Sequence, residues 1–237
     1  MKANLLSILN KARAEKRQIA LITDVAEGVQ TLIIDGEFAG GDTEPGLGLR
    51  KEVVAAVEND RSKIVSIGNT RYFIHVFNPP KRMIIVGAVH IAQSLAPMAA
   101  IAGFEITIID PRGTFATVER FPSVTLCNEW PDDAIPKLKP DRRTAVVTLT
   151  HDPKIDDPAL IAALHTDAFY IGSLGSRKTH ASRLERLGQE FFNNTDLARI
   201  HGPIGLNIGA VSQAEIAISI LGQITEVLHS TPQDKAA

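Results

Sequence analysis

Apolar positions along the chain follow two kinds of pattern, and the change between them divides it. Leu5, Ile8, Leu9 and Ala12 recur at helical spacing, and residues 19–25 and 31–34 are short apolar runs, which predicts a helix followed by two strands. Asp35-Gly36 signals a hairpin turn. Leu49, Val53, Ala56 and Val57 mark a second amphipathic helix, after which residues 63–67 and 72–77 read as strands around a Gly68-Asn69 turn. Residues 1–77 are therefore expected to form a small α+β domain. Asn78-Pro79-Pro80 removes two backbone donors in succession and favours extended geometry, so residues 78–81 are read as a linker.

Beyond the prolines, apolar strands alternate with helical stretches. Strands are predicted at residues 83–86, 105–109, 123–126, 144–150 and 168–171, and helices at 91–102, 158–164, 179–190 and 214–228. That alternation predicts an α/β fold: a C-terminal doubly wound parallel-sheet, Rossmann-like domain over residues 82–230, preceded by the small α+β domain. Residues 231–237 are expected to be a frayed tail.

Composition narrows the function classes. At 237 residues, 44% hydrophobic and 22% charged, the chain is globular rather than disordered. With 25 Lys and Arg against 27 Asp and Glu the formal charge is −2, which leaves no basic field for a nucleic acid. The single cysteine, Cys127, has no partner for an intramolecular disulfide, and a reducing cytoplasm is expected. Nothing resembles a cleaved leader, because Ser7 interrupts the apolar run at Leu5 and Lys11 and Arg13 follow soon after. Residues 83–104 carry no Asp, Glu, Lys or Arg over 22 positions, yet hold Gly87, His90, Gln93, Ser94, Pro97 and Gly103. They read as strand, turn and buried helix, and no stable membrane insertion is expected.

In open α/β sheets ligands bind beyond the carboxyl ends of the strands, where the strand order reverses. After the first strand, Gly87-Ala88-Val89-His90-Ile91-Ala92 follows the dinucleotide fingerprint except at its second glycine, where Val89 is expected to obstruct close backbone approach. Asp110, 23 residues after Gly87, stands near the distance of a ribose-binding carboxylate. The alternative is a strand-to-helix turn with no ligand. After the fourth strand, Thr148-Leu149-Thr150-His151-Asp152 offers two hydroxyls, an imidazole and a carboxylate across the crevice. Asp152 or Asp156 serves equally well as a helix cap. After the fifth strand, Gly172-Ser173-Leu174-Gly175-Ser176-Arg177-Lys178 combines glycines with a helix start and a guanidinium, an anion seat by chemistry. Its alternative is a serine-capped helix whose Arg177, Lys178, Arg183 and Arg186 are solvated. Residues 201–210 pack three glycines and a proline into an apolar stretch, followed by a Ser212/Glu215 capping box. Cys127 is read as core filling, and no metal-ligand spacing is found.

Three segments together carry a resemblance: Val86-Gly87-Ala88-Val89-His90-Ile91-Ala92-Gln93, Leu149-Thr150-His151-Asp152, and the pair formed by residues 170–177 and 199–210. Over residues 82–228 the sequence resembles the xanthine dehydrogenase accessory factors of the XdhC/CoxI type. The resemblance implies a cytoplasmic chaperone that binds molybdenum cofactor, presents it to a cysteine desulfurase for sulfuration and helps insert it into a molybdenum hydroxylase. The cofactor-binding candidates are then Gly87, His90, Asp110, Arg112, Thr150, His151, Gly172, Ser173, Gly175, Ser176, Arg177 and Asn207. The chain departs from the family's pattern at Val89, commonly Gly, and at Asn207, commonly Asp, and lacks a Gly-Cys-Val-Glu motif before Asn78. An NAD(P)-dependent oxidoreductase is the enzyme alternative, and a ligand-free scaffold the third; a homodimer is expected from the frequency of symmetric pairs.

Overall fold

The apolar runs near the amino terminus pair as an antiparallel sheet clasped between two helices. In the computed structural model, which describes residues 2–190 and 192–230, this part comprises α1 (Ala3–Ala14), β1 (Ile19–Asp24), β2 (Gln30–Ile34), β3 (Glu37–Gly41), α2 (Leu47–Glu58), β4 (Lys63–Ile67) and β5 (Thr70–Phe77). The strand order is β3-β2-β1-β5-β4. Ile19 and Leu21 of β1 face Leu5, Leu9 and Ala12 of α1, whereas Ala20 and Ile22 face Leu49, Val53 and Ala56 of α2. Burial on both faces explains why β1 reads as a continuous apolar run. The hairpin turn at Asp35-Gly36 has both residues at positive φ, 50° and 85°, as a two-residue turn requires. It leads into β3, a strand the apolar pattern missed because Gly40 and Gly41 occupy its end.

The chain divides into two compact units, Met1–Pro79 and Pro80–Ala237. The second contains β6 (Lys81–Val86), α3 (His90–Ile101), β7 (Phe104–Ile109), β8 (Thr125–Cys127), α4 (Pro131–Leu138), β9 (Thr144–Thr148), α5 (Pro153–Leu164), β10 (Tyr170–Ser173), α6 (Arg177–Gly188), α7 (Asn194–Leu197), β11 (Ile200–His201) and α8 (Gln213–His229). The strands run parallel in the order β11-β10-β9-β6-β7-β8, so the order reverses between β6 and β9, as the doubly wound reading requires. The architecture is thus the expected small α+β unit followed by a Rossmann-like one.

Alternate residues of the parallel strands supply two cores. Met83, Ile85, Ala145 and Val147 pack under Leu95 and Ala99 of α3 and Ile220 and Ile224 of α8. Ile84, Val86, Val146 and Ile171 pack under Ile135 of α4 and Ala159 and Leu160 of α5.

Several boundaries differ from the sequence reading. Helix α5 begins at Pro153 rather than residue 158, because Asp152 caps it and Pro153 takes the first helical position, where a missing N–H is no loss. Strand β9 stops at Thr148 rather than 150, since His151 turns at φ 62°. Strands β8 and β10 lie about two residues later than expected, and α4, α7 and β11 were not anticipated. The tail expected at 231–237 lies outside the described residues.

Arg199 ties the β10 side of this sheet together. Its guanidinium donates to the carbonyls of Leu164 and Thr166, each at 2.7 Å, and of Ala168 at 3.3 Å, collecting acceptors at and beyond the end of α5. Arg199→Ala should lower stability by about 1–3 kcal/mol in denaturant unfolding of the whole chain, and Arg199→Lys should restore only part, because an ammonium lacks the planar fork. An unchanged midpoint in Arg199→Ala would contradict this role.

Candidate functional site

The carboxyl ends of β6, β7, β9 and β10 bring together the loops in which the sequence placed its candidates. After β6, Gly87 has φ 111°, and a Cβ there would lie 2.7 Å from Thr150 Cγ2 and 3.2 Å from Thr150 N. Only glycine lets the turns after β6 and β9 meet at the point of reversal. The Gly87 amide donates to Ile109 O and the Ala88 amide to Asp110 Oδ2, at 2.8 Å each.

Asp110 is fully buried. Besides Ala88 it accepts from Arg112: the backbone N at 3.0 Å and Nε at 2.9 Å on Oδ1, and Nη2 at 2.8 Å on Oδ2. Burial acts to raise its pKa, but the Arg112 guanidinium and the two amides outweigh it and hold the carboxyl below its ordinary range. The ribose-acceptor role expected for Asp110 therefore gives way to a structural one: both oxygens are occupied by protein donors, out of contact with solvent. Arg112 becomes the cation of this lip. Its side chain is 37% exposed and its guanidinium lies 4.8 Å from the Phe115 ring centroid. Its pKa is raised first by hydrogen bonding to Asp110, against burial, with smaller contributions from the charges of Asp110, Asp152 and Asp156.

Val89 is the N-cap of α3, in extended conformation, with no side-chain cap bond. Its side chain packs against the core under α3 and α8, and His90, the first helical residue, is exposed. The first-turn amides of α3 thus have no capping oxygen from Val89.

The lip after β9 is organised by Asp156. Thr150 Oγ1 donates to Asp156 Oδ1 at 2.7 Å, with the Thr150 amide at 3.3 Å, and the His151 amide donates to Oδ2 at 3.1 Å. Burial pushes the Asp156 pKa up, opposed by Thr150, Arg183 and His151. Asp152 caps α5 through Lys154 N at 3.0 Å, and Thr148 is buried against Ser173, oxygen to oxygen 2.6 Å. Of the polar groups expected to converge here, His151 alone is exposed as a side chain.

At β10 the candidates separate. Gly172 is buried; a Cβ there would strike Ile204 and the Tyr170 ring at 2.6–2.7 Å, so it serves packing. Ser173 is buried against Thr148. A ligand-facing role for this pair gives way to an internal one. Gly175, at φ 153°, and Ser176, the N-cap of α6 accepting from Thr179 N, lead to the exposed Arg177. Residues 201–206 are pinned: His201 stacks on Tyr170 at 4.7 Å, Tyr170 Oη donates to Gln223 Oε1 at 2.6 Å, and Gly205 N donates to the same oxygen at 2.9 Å. Asn207 is exposed beyond them.

Sequence reasoning misses Arg183, which enters only in the capped-helix alternative, as a solvated cation. It is 2% exposed and donates through Nη2 to Leu174 O at 3.0 Å. The available signal was its place four residues before Leu187, on the buried face of α6. Cys127 is half-buried against the core under α4 and α5. Among the described residues no cluster of His, Cys, Asp and Glu is arranged to hold a metal ion, and no helix is long and apolar enough to cross a membrane.

Residues 83–224 match a family model described as the XdhC Rossmann domain. The chain is 31% identical over 169 residues to the uncharacterized protein YqeB of Escherichia coli, covering 70% of this chain and 30% of that protein. It is 30% identical over 154 residues to the molybdenum cofactor insertion chaperone PaoD of the same organism, covering 65% of this chain and 42% of that one. The chain therefore spans less than half the length of either relative. A crystal structure of a xanthine dehydrogenase from Bacillus halodurans shares the fold, with TM-score 0.75 and 23% identity over 98% of this chain and 69% of that chain.

The Asp110 clamp has a pH signature. A depressed carboxyl contributes stability that is present above its unfolded pKa of about 3.9 and is lost as pH falls through the lower folded value. Asp110→Asn should melt below wild type at pH 7, and the gap should hold down to about pH 4 and close under it. Melting curves across that range check this; a gap independent of pH would contradict it.

Proposed function

The chain belongs to the XdhC Rossmann-domain family, and from that premise we propose that it is a maturation factor that holds molybdenum cofactor as cargo in the crevice beyond β6 and β9 and passes it to a molybdenum hydroxylase. The observation that carries the reading to these residues is the pair of positive features at one sheet edge: the first turn of α3, with no side-chain cap, and the guanidinium of Arg112, held in place by Asp110 and still 37% exposed. Both suit an anionic pterin ligand.

In this reading Gly87, buried against Thr150, lets the two loops meet at the crevice floor, Arg112 and Arg177 supply charge, and His90, Thr150, His151, Gly175, Ser176 and Asn207 surround the cargo. Asp110 and Asp156 act indirectly, by fixing the two lips. Binding and orientation are the chain's contribution; the reactive metal centre belongs to the cargo. A cysteine desulfurase that sulfurates the held cofactor, a homodimeric state and a cytoplasmic location complete the proposal. The name of the chaperone relative supports the cargo assignment. The oxidoreductase alternative depended on Asp110 as a ribose acceptor, and that carboxylate is bonded to Ala88 and Arg112.

Molybdenum content and pterin fluorescence of protein purified from molybdate-supplied cells test the site. His151→Ala should lower molybdenum occupancy without changing the melting temperature; unchanged occupancy would assign His151 to the turn alone. Arg177→Ala should weaken cofactor binding by about 2 kcal/mol, roughly thirtyfold, with Arg177→Lys recovering part. Cys127→Ala should leave transfer to the client intact, because the half-buried thiol packs against the core under α4 and α5.

A further inference from the structure

Helix α6 presents a positive end to the carboxyl edge of the sheet, and what lies beneath that end distinguishes it from an ordinary capped helix. Ser176 accepts from the amide of Thr179, the third helical residue, but Arg177 and Lys178 precede it in the first turn. Gly175, immediately before the cap, is held at φ 153°, where a side chain is strained, so bare backbone covers what lies below. Below it is Arg183, whose Nη1 lies 3.7 Å from the place a Gly175 Cβ would occupy.

Arg183 is nearly sealed from solvent, yet its Nε and Nη1 have no hydrogen-bond partner. The carboxylates facing it do not supply one. Asp156 Oδ2 stands 3.9 Å from Nη2 and Asp157 Oδ1 4.0 Å from Nε, both outside hydrogen-bond range. Each is engaged elsewhere, Asp156 by Thr150 and His151, and Asp157 by Arg186 at 2.6 and 3.1 Å. One turn earlier on the same helix, His180 also buries an unpartnered Nδ1 against Gly202. An unpartnered donor on a buried guanidinium is expensive to keep, and a tetrahedral oxyanion on the first-turn amides has an oxygen to spare for Nη1, the nitrogen that lies under Gly175.

We infer that the mouth of α6 is a phosphate seat in which Arg183, from beneath Gly175, supplies its free Nη1 donor and Arg177 the outer charge. The inference deepens the cofactor reading by naming the residue that reads the phosphate, and it rests on that reading only for the identity of the molecule carrying the group.

Inorganic pyrophosphate is the probe, with the unmodified full chain. Calorimetric titration should give saturable binding, and the side-chain Nε–H signal of Arg183, assigned by through-bond correlation, should shift in proportion to occupancy. Arg183→Lys should weaken binding at least tenfold while Arg186→Lys leaves it within twofold. Should Arg183→Lys fail to fold, the Nε titration of wild type decides alone. Binding that leaves the Arg183 signal unmoved, or no binding at millimolar pyrophosphate, would overturn the seat. Because no molybdenum enters this experiment, a chain that binds pyrophosphate through Arg183 but never carries molybdenum keeps the seat and loses the cargo. A chain that carries molybdenum while Arg183 ignores pyrophosphate does the reverse.

Discussion

A carboxylate buried beneath the sheet edge sets the position of everything else in the crevice. Asp110 joins the turn after β6, through the Ala88 amide, to the loop after β7, through the backbone and guanidinium of Arg112. Taking a charge out of water is costly unless it is paired and fully hydrogen-bonded, and here donors reach both oxygens. The result is a rigid lip: the first turn of α3 cannot shift without breaking the bond at Ala88, and Arg112 cannot swing away without leaving Asp110 unpaired. A residue type that binds ribose in many related folds is turned inward to hold backbone instead.

The opposite lip repeats the device with less charge compensation. Asp156 gathers Thr150 and His151 after β9, but Arg183 stays 3.9 Å away. Gly87 and Thr150 meet between the lips at a distance that excludes any side chain at position 87. The crevice is therefore shaped by two internal aspartates and one glycine, while the cations Arg112 and Arg177 and the imidazoles of His90 and His151 remain at its surface. Such a division suits a protein that holds and releases a cargo, since the scaffold stays fixed when the surface groups change partners.

Much of this fold was legible because parallel strands buried on both faces read as apolar runs, as at β6 and β9, and because α3 and α8 bury wide apolar stripes. Elements with ambiguous local chemistry were not. Pro131, Asp132, Asp133 and Pro136 hide α4, although proline and acids suit a helix start. Strand β11 has two residues and no pattern to detect. At the site, the loops were placed correctly by strand ends alone, but roles inside them depend on contacts across the chain. The Ala88 bond of Asp110 spans 22 residues. Gly172 was read as an anion cradle because composition alone does not separate a glycine that admits a ligand from one that admits Ile204 and Tyr170. The burial of Arg183, solvated in the capped-helix alternative, is invisible locally because it depends on α5 and on the loop at Leu174.

The central claim is that this crevice carries molybdenum cofactor rather than a nicotinamide dinucleotide. The direct measurement is to purify the unaltered chain from molybdate-supplied cells, determine bound molybdenum and oxidised-pterin fluorescence per chain, and titrate NAD(H) into the same preparation. The account predicts that molybdenum and pterin co-purify with the chain in comparable molar amounts and that NAD(H) binds weakly. Micromolar NAD(H) affinity, roughly −8 kcal/mol, in protein carrying neither molybdenum nor pterin would contradict it.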